Sequence, residues 1–154
     1  MQKNVYEFVE KVVKENNIKG RILDVGSLNV NGCVKPIFED SEYSGIDLRK
    51  GENVDFVMDS HDMSIWGEGF FDCVVCCEML EHDSNPFSTL KEIYRMLPFG
   101  GWLILTCAGI GFPKHECPKD FWRFTADGIK FLLKDFKIIQ ITDVDKEVFC
   151  LARK

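Results

Sequence analysis

The stretch RILDVGSLNVNG, from Arg21 to Gly32, constrains the fold more than any other part of the chain. Its residues 22–25 form a short apolar run typical of a buried strand, and Gly26 follows that run directly. A buried strand that ends in a glycine turn is typical of open α/β sheets, in which ligands bind at the carboxyl ends of the strands. The sequence therefore predicts a binding site at Gly26.

Helical patterns recur along the chain. Apolar residues repeat at helical spacing near the N-terminus, and that helix ends around Asn16, Asn17 and Gly20. Asn85 followed by Pro86 is typical of a helix start. A third helix, capped by Thr125, runs to about residue 135, and a helical turn is predicted within 33–39. The inner stripe of the second long helix is predicted to be Phe87, Leu90, Ile93, Tyr94 and Leu97.

The strand pattern predicts an α/β fold. The early strands are continuous apolar runs, which favours a parallel sheet covered by helices on both faces. A tight turn at Asp145 and Lys146 implies a final antiparallel hairpin. The predicted strands are 22–25, 43–48, 54–58, 71–77, 102–107, 137–144 and 147–152. We therefore expect one domain, 1–154, with a Rossmann-like, doubly wound, seven-stranded and mostly parallel sheet that ends in this hairpin.

Composition limits the partners and the compartment. The net charge of −6, from 19 basic and 25 acidic residues, disfavours a nucleic-acid surface. The start MQKN does not resemble a signal peptide, so none is expected. Residues 96–113 are uncharged and long enough for a membrane span, but six glycines and prolines interrupt them. The odd number of cysteines, seven, indicates reduced thiols. We expect a cytoplasmic protein that binds neither nucleic acid nor membrane.

The residues around the glycine turn favour one cofactor chemistry. Asp47 follows Gly26 by 21 residues, at the end of the second strand, where a carboxylate can accept both hydrogens of a ribose diol. Leu28 and Val30 occupy positions at which a pyrophosphate site needs glycine. An adenosine-containing cofactor without phosphate fits this pattern better than a nicotinamide dinucleotide.

Six segments in order give the chain a family resemblance: ILDVGS, YSGIDL, VDFVMDSHDM, FDCVVCCEMLEHDSNP, MLPFGGWLILT and DFWRFTADGIKFLL. On these segments the chain resembles the class I S-adenosylmethionine-dependent methyltransferases of the small-molecule, methyltransferase-11-like type. The departure is the first motif, where that family usually has Gly-x-Gly-x-Gly and this chain has GSLNV at 26–30. Asn31 and Gly32 can supply a displaced turn with positive φ.

The resemblance implies a set of cofactor contacts. It puts Asp24 and Gly26 at the methionine end, Asp47 at the ribose, and Asp59 with Ser60 near the adenine. Each has a plainer alternative: Asp24 can cap a turn, and Asp59 can be a solvated loop acid. The cofactor S-adenosyl-L-methionine is expected to contact Asp24, Gly26, Ser27, Asp47, Leu48, Asp59, Ser60, Cys77 and Glu78. Cys76 and Cys77 are otherwise core or pocket-wall residues.

Two histidines are candidate catalytic bases. His115 lies in a Gly- and Pro-rich loop, 108–124, that follows the fifth predicted strand. His82 is the second candidate, and with Glu78 and Glu81 it has the i, i+3, i+4 spacing that can hold a divalent ion on a helix. The favoured interpretation is that these three residues orient the turn, so no metal is predicted. Arg123, in the same loop, can hold an acidic substrate or pair with Asp120.

The functional prediction is methyl transfer from S-adenosyl-L-methionine to a small-molecule or carbohydrate-like acceptor. The Asn/Asp-Pro-Pro-aromatic signature of methylation on bases is absent, because CCEM stands there. A non-catalytic module that kept the fold is the first alternative, motivated by the missing glycines. A nicotinamide-dependent oxidoreductase is the second. A homodimer is compatible with the sequence.

Overall fold

The computed structural model describes residues 2–115 and 119–154, and in these residues four strands follow the first α-helix before the second α-helix begins. Its helices are α1 (Lys3–Asn16), α2 (Pro86–Met96) and α3 (Ala126–Leu132), with 3-10 turns at Lys35–Phe38 and Leu80–His82. Its strands are β1 (Arg21–Val25), β2 (Glu42–Asp47), β3 (Phe56–Val57), β4 (Cys73–Cys77), β5 (Trp102–Ala108), β6 (Lys137–Val144) and β7 (Glu147–Arg153).

All seven strands form one sheet in the order β3-β2-β1-β4-β5-β7-β6. Strands β1 to β5 pair in parallel, whereas β7 pairs antiparallel with both β5 and β6. The predicted Rossmann-like sheet and its final hairpin are therefore confirmed. The strand order reverses between β1 and β4, and such a reversal opens a crevice at the carboxyl ends of those strands.

Each face of the sheet has its own apolar core. On one face α1 packs against β1 and β4, with Val9 and Val12 against Ile22 and Val75. On the other face α2 and α3 cover the sheet with residues that include Ile93 and Ile129. Successive strand residues point to opposite faces, so strands with apolar side chains on both faces read as continuous hydrophobic runs.

Three local predictions are wrong. Phe87 is 61% exposed, because α2 turns Leu90, Ile93 and Met96 to the sheet and leaves Phe87 at the edge of that stripe. The third strand is only Phe56–Val57 rather than 54–58, because only these two residues pair with β2. The helix after Thr125 ends at Leu132 rather than residue 135, since the chain must turn before β6 begins.

The structure shows where the uncharged segment and the described cysteines lie in the fold. The helices among the described residues are too short or too polar to cross a membrane, and the uncharged segment 96–113 contains the end of α2 and strand β5 instead. The six cysteines among the described residues are all free, and four of them are fully buried. These four buried cysteines lie in strands and pack as small apolar side chains.

Candidate functional site

A cavity of about 590 Å³ opens beside the carboxyl ends of β1, β2 and β4. It lies at the reversal of strand order, where the topology predicts a ligand site. The structure brings every residue predicted for cofactor binding or catalysis to its wall. These residues are Asp24, Gly26, Ser27, Asp47, Leu48, Asp59, Ser60, Cys77, Glu78, His82 and His115.

The turn after β1 is built on Gly26. Its φ of +84° is a conformation that residues with a Cβ rarely adopt, and a Cβ there would lie 2.5 Å from Cγ of Met79. The backbone N–H groups of Gly26 and Ser27 both donate to the Ile46 carbonyl at 2.9 Å. The turn is thus tied to β2, and the side chain of Ser27 points away to the carbonyl of Asn53 at 2.9 Å.

The two bulky residues of the altered motif do not fill the cavity. Leu28 packs over Gly51, where a Cβ would overlap its side chain, and Val30 is 64% exposed. The displaced turn expected at Asn31 and Gly32 is present: Gly32 has φ +117°. Its N–H donates to the Asn29 side chain at 2.8 Å.

Residues 26–34, which follow β1, contain no helix, and the chain next forms only the short 3-10 turn Lys35–Phe38. The start of a longer helix would supply the row of N–H groups that binds a pyrophosphate. Beside the first strand this cavity therefore offers carboxylates and a glycine turn rather than a phosphate cradle.

Asp24 and Asp47 end neighbouring strands at the cavity. Asp24 is buried and accepts a hydrogen bond from the Tyr43 hydroxyl. Burial raises the pKa of Asp24 to about 6, the Tyr43 hydrogen bond opposes that rise, and the charge of Asp47 adds to it. Asp47 is less enclosed, and its Oδ1 accepts the Arg49 N–H at 2.9 Å. The pair gives this wall a negative potential.

A second acidic wall lies next to β3. Asp59 is exposed, and its Oδ1 accepts the His61 N–H at 2.9 Å. Ser60 exchanges a hydrogen bond of 2.8 Å with Thr89, so its hydroxyl points toward α2. The His61 ring lies 2.7 Å from the carboxylate of Asp83, which is buried.

Sequence reasoning missed His61 and Asp83 as lining residues. Asp83 accepts hydrogen bonds from Thr89 at 2.6 Å and from the Asn85 N–H at 2.7 Å, while its own carbonyl accepts the Trp122 indole N–H at 2.7 Å. The sequence signal for Asp83 was its position in the segment EHDSNP, two residues before the helix cap Asn85. The contact with His61 depends on tertiary structure and has no local pattern.

Glu78 follows β4 directly and has a strained backbone conformation, with φ +52°. Its carboxyl accepts the Thr106 hydroxyl at 3.0 Å and shares a hydrogen bond with the buried Glu147. Burial raises the pKa of Glu78, and the charges of Glu81 and Glu147 add to the rise. Glu78 precedes the 3-10 turn Leu80–His82, so it does not share a helix face with Glu81 and His82.

The structure instead brings Glu81, His82 and His115 together, although the two histidines are 33 positions apart in the sequence. The two imidazole rings meet edge to face with centroids 4.7 Å apart. His115 Nε2 lies 3.8 Å from Oε1 of Glu81. Burial raises the pKa of Glu81, and the peptide groups of Glu81 and Ala108 together with the His115 ring oppose that rise.

An ion pair between Arg123 and Asp120 helps to hold the loop after β5. Arg123 donates to both carboxylate oxygens of Asp120, at 2.5 and 2.7 Å, and this pairing lowers the pKa of Asp120. Of the two roles expected for Arg123, the structure shows the pairing with Asp120. Residues 116–118 of this loop, which include Glu116, lie outside the described residues.

Comparison with known proteins gives the same fold. The family model described as "Methyltransferase domain" matches residues 39–105. The structure is similar to Burkholderia thailandensis 1,6-didemethyltoxoflavin-N1-methyltransferase, solved with 1,6-didemethyltoxoflavin and S-adenosylhomocysteine bound. The TM-score is 0.78 at 16% identity, over 97% of this chain and 78% of that one.

Two further solved structures are similar. A SAM-dependent methyltransferase from Aquifex aeolicus matches with a TM-score of 0.70 at 18% identity, over 93% of this chain and 87% of that one. The [4+2]-cyclase SpnF matches with a TM-score of 0.71 at 16% identity, over 95% and 80%. No curated protein sequence matches significantly. The resemblance seen in the sequence is therefore confirmed: the chain has the fold of the class I S-adenosylmethionine-dependent methyltransferases, and its residues 39–105 match a methyltransferase domain.

Proposed function

We propose that this protein transfers a methyl group from S-adenosyl-L-methionine to a small-molecule acceptor. The observation that carries the proposal is the position of Asp24, Gly26 and Asp47 around one cavity at the reversal of strand order. The similar methyltransferase from Burkholderia thailandensis, with S-adenosylhomocysteine bound, supports the same cofactor here.

The chemistry of the cavity fits this cofactor. S-adenosylmethionine carries a sulfonium and an ammonium group, and Asp24, Asp47 and Asp59 give the wall negative charge. A cavity of about 590 Å³ is within the range of roughly 300–1,000 Å³ typical of small-molecule sites. Its carboxylates suit a cofactor of net positive charge better than a diphosphate.

The residues that would hold the cofactor follow from the strand ends. Asp47 would accept the ribose hydroxyls, and Asp24 with the Gly26 turn would take the methionine end. Asp59 and Ser60 would lie on the adenine side. When bound, the cofactor supplies a methyl group that is already electrophilic. The contribution of the chain is then to position the acceptor and to exclude water.

The acceptor would enter on the side formed by the loop after β5. Phe112, His115, Lys119 and Phe121 line the cavity there, together with His82. The aromatic rings suit an uncharged or ring-shaped acceptor of small size. His115, and next to it His82, are our candidates to accept the proton that an acceptor hydroxyl or amine must lose.

A second candidate function is a non-catalytic module, or an enzyme that keeps the fold for another reaction. The turn GSLNV carries one glycine where the related family usually has three, and the similar structure of SpnF is described as a [4+2]-cyclase. A nicotinamide-dependent oxidoreductase is not favoured, because residues 26–34 offer no helix start for a pyrophosphate.

Transfer of label separates the two candidates. The full chain is incubated with methyl-labelled S-adenosylmethionine and with fractions of small metabolites, and label in the acceptor fraction is measured. We expect at least one fraction to take up label, and the Asp47→Ala variant to lose most of it. Cofactor binding without label transfer to any fraction would instead favour the second candidate, a non-catalytic module or an enzyme for another reaction.

A further inference from the structure

Three side chains that can bind a metal ion meet at the cavity wall. Each of Glu81, His82 and His115 offers one ligand atom, and these atoms all lie within 4.8 Å of one another. Two come from the 3-10 turn after β4, and the third comes from the loop after β5. The cluster therefore depends on how the two segments pack against each other.

Glu81 is the unusual member of the cluster. It is 0% exposed, and neither of its carboxylate oxygens accepts a hydrogen bond of normal geometry from the described residues. Buried carboxylates are almost always paired or bound to a metal, because leaving water without a partner is costly. His115 Nε2 lies 3.8 Å from Oε1 of Glu81, which is too far for a hydrogen bond. Among the described residues, Glu81 thus has no side chain that donates a hydrogen bond to it, although it is fully buried.

Both imidazoles are oriented as metal ligands usually are. His82 Nδ1 makes a short hydrogen bond with the Lys119 carbonyl, and a carbonyl only accepts, so this nitrogen carries the proton. His115 Nδ1 lies 3.3 Å from the Pro113 carbonyl, while its Nε2 faces Glu81. Metal-binding histidines typically donate one ring N–H to a carbonyl or carboxylate, which leaves the other nitrogen with a free lone pair.

We propose that Glu81, His82 and His115 form a binding site for a divalent transition-metal ion. Two imidazoles and one carboxylate suit zinc, cobalt, manganese or iron better than magnesium or calcium, which prefer oxygen ligands throughout. Ligand atoms around such an ion lie roughly 3 Å apart, so the three side chains would close in slightly around it. Glu78, which the sequence spacing suggested as a partner, is held by Thr106 instead.

The ion would have an open face. Three protein ligands leave at least one coordination position, as in catalytic rather than structural sites, and His82 and His115 both line the cavity. The site itself does not depend on methyl transfer. If the proposed function also holds, an acceptor hydroxyl bound to the ion would lose its proton more readily, and the two histidines would act as ligands rather than as the base.

Cobalt(II) absorption tests the site without cofactor or activity. Metal-free full chain is titrated with Co²⁺, and the visible spectrum reports the ligands. We expect one Co²⁺ per chain with nitrogen and oxygen ligands, displaced by Zn²⁺. Glu81→Gln and His115→Ala should each weaken binding by more than about 100-fold, since losing even an outer partner typically costs 10–100-fold. His61→Ala removes an imidazole outside the cluster and should keep the affinity.

Several outcomes would overturn the site. These are a spectrum with sulfur-ligand bands, which would indicate binding at cysteines, an unchanged affinity in His115→Ala, or no saturable binding at all. Circular dichroism confirms that each variant folds, and His115 is partly exposed, so its variant tests the site even if Glu81→Gln misfolds. S-adenosylhomocysteine binding is titrated in the same samples, so failure of the metal site and failure of the proposed function are separate results.

Discussion

At the scale of single residues, the site depends on two aspartates with different surroundings. Asp24 is buried and accepts a hydrogen bond from the Tyr43 hydroxyl, whereas the side chain of Asp47 is 15% exposed. Both end strands that run side by side, with Val25 of β1 paired to Ile46 of β2. The charge of Asp47 therefore disfavours the ionised form of Asp24, and the pair favours a cationic ligand between them.

Asp47 should carry much of the cofactor affinity. We expect Asp47→Ala to weaken S-adenosylhomocysteine binding by roughly 1–3 kcal/mol, because ribose hydroxyls would lose their partner in a partly closed site. Titration calorimetry measures the change. Asp127→Ala is the matched control, since that acid lies on α3 outside the cavity with its side chain 90% exposed. Equal affinities for wild type and Asp47→Ala would contradict the ribose assignment.

Asp24 should make stability depend on pH. Its pKa rises from 3.8 to about 6 on folding, so the folded state holds a proton that the unfolded chain releases. The resulting stabilisation is complete below about pH 4 and is lost as the pH rises through about 6. Asp24→Asn removes this dependence, because an amide does not titrate.

The measurement is chemical denaturation of both proteins between about pH 4 and pH 7.5. As the pH rises, the free energy of unfolding of Asp24→Asn minus that of wild type should increase by on the order of 3 kcal/mol. Asp24→Asn leaves the other buried carboxyls in place, so they cancel in the comparison. A constant difference across this range would mean that the pKa of Asp24 is not raised.

At the scale of elements, the turn after β1 decides how close a ligand can come. Gly26→Ala should destabilise the protein by roughly 1–3 kcal/mol, because φ is +84° and the new Cβ would meet Met79. Thermal and chemical unfolding measure the loss. Gly67→Ala is the matched control, because its Cβ would point into open space. A similar, small effect in both variants would show that the turn is not constrained as described.

The N-terminus of α2 is capped by Asn85. Its side chain accepts the Ser88 N–H and donates to the Ser88 hydroxyl at 2.8 Å. Asn85→Ala should cost about 1 kcal/mol of stability, whereas Asn85→Asp should restore most of it, because a carboxylate caps a helix N-terminus equally well. Urea unfolding of wild type and both variants checks the order of stability. An Asn85→Asp variant no more stable than Asn85→Ala would contradict the cap.

The sequence was sufficient to predict most elements, because hydrophobic period and caps are local signals. Asn85 with Pro86, and Thr125, mark helix starts that the structure confirms. The bounds of β3 and α3, and the exposure of Phe87, depend on pairing and packing with distant residues. Local patterns do not carry that information.

At the scale of the whole molecule, strand order converts separate motifs into one cavity. The ends of β1, β2 and β4 become neighbours only because the order reverses between β1 and β4. The family resemblance was enough to predict which residues of these strand ends lie on the cavity wall, and their contacts with a cofactor stay predictions. The meeting of Glu81 with His115 was not predictable, since the loop after β5 has no regular pattern to fix where His115 lies.

Titration calorimetry of the full chain with S-adenosylhomocysteine tests the central claim most directly. The account predicts saturable binding to one site per chain in the micromolar range, weakened in Asp47→Ala, and no comparable heat with a nicotinamide dinucleotide. The absence of both heat and thermal stabilisation with S-adenosylhomocysteine and with S-adenosylmethionine would contradict it, and the fold would then serve a different ligand.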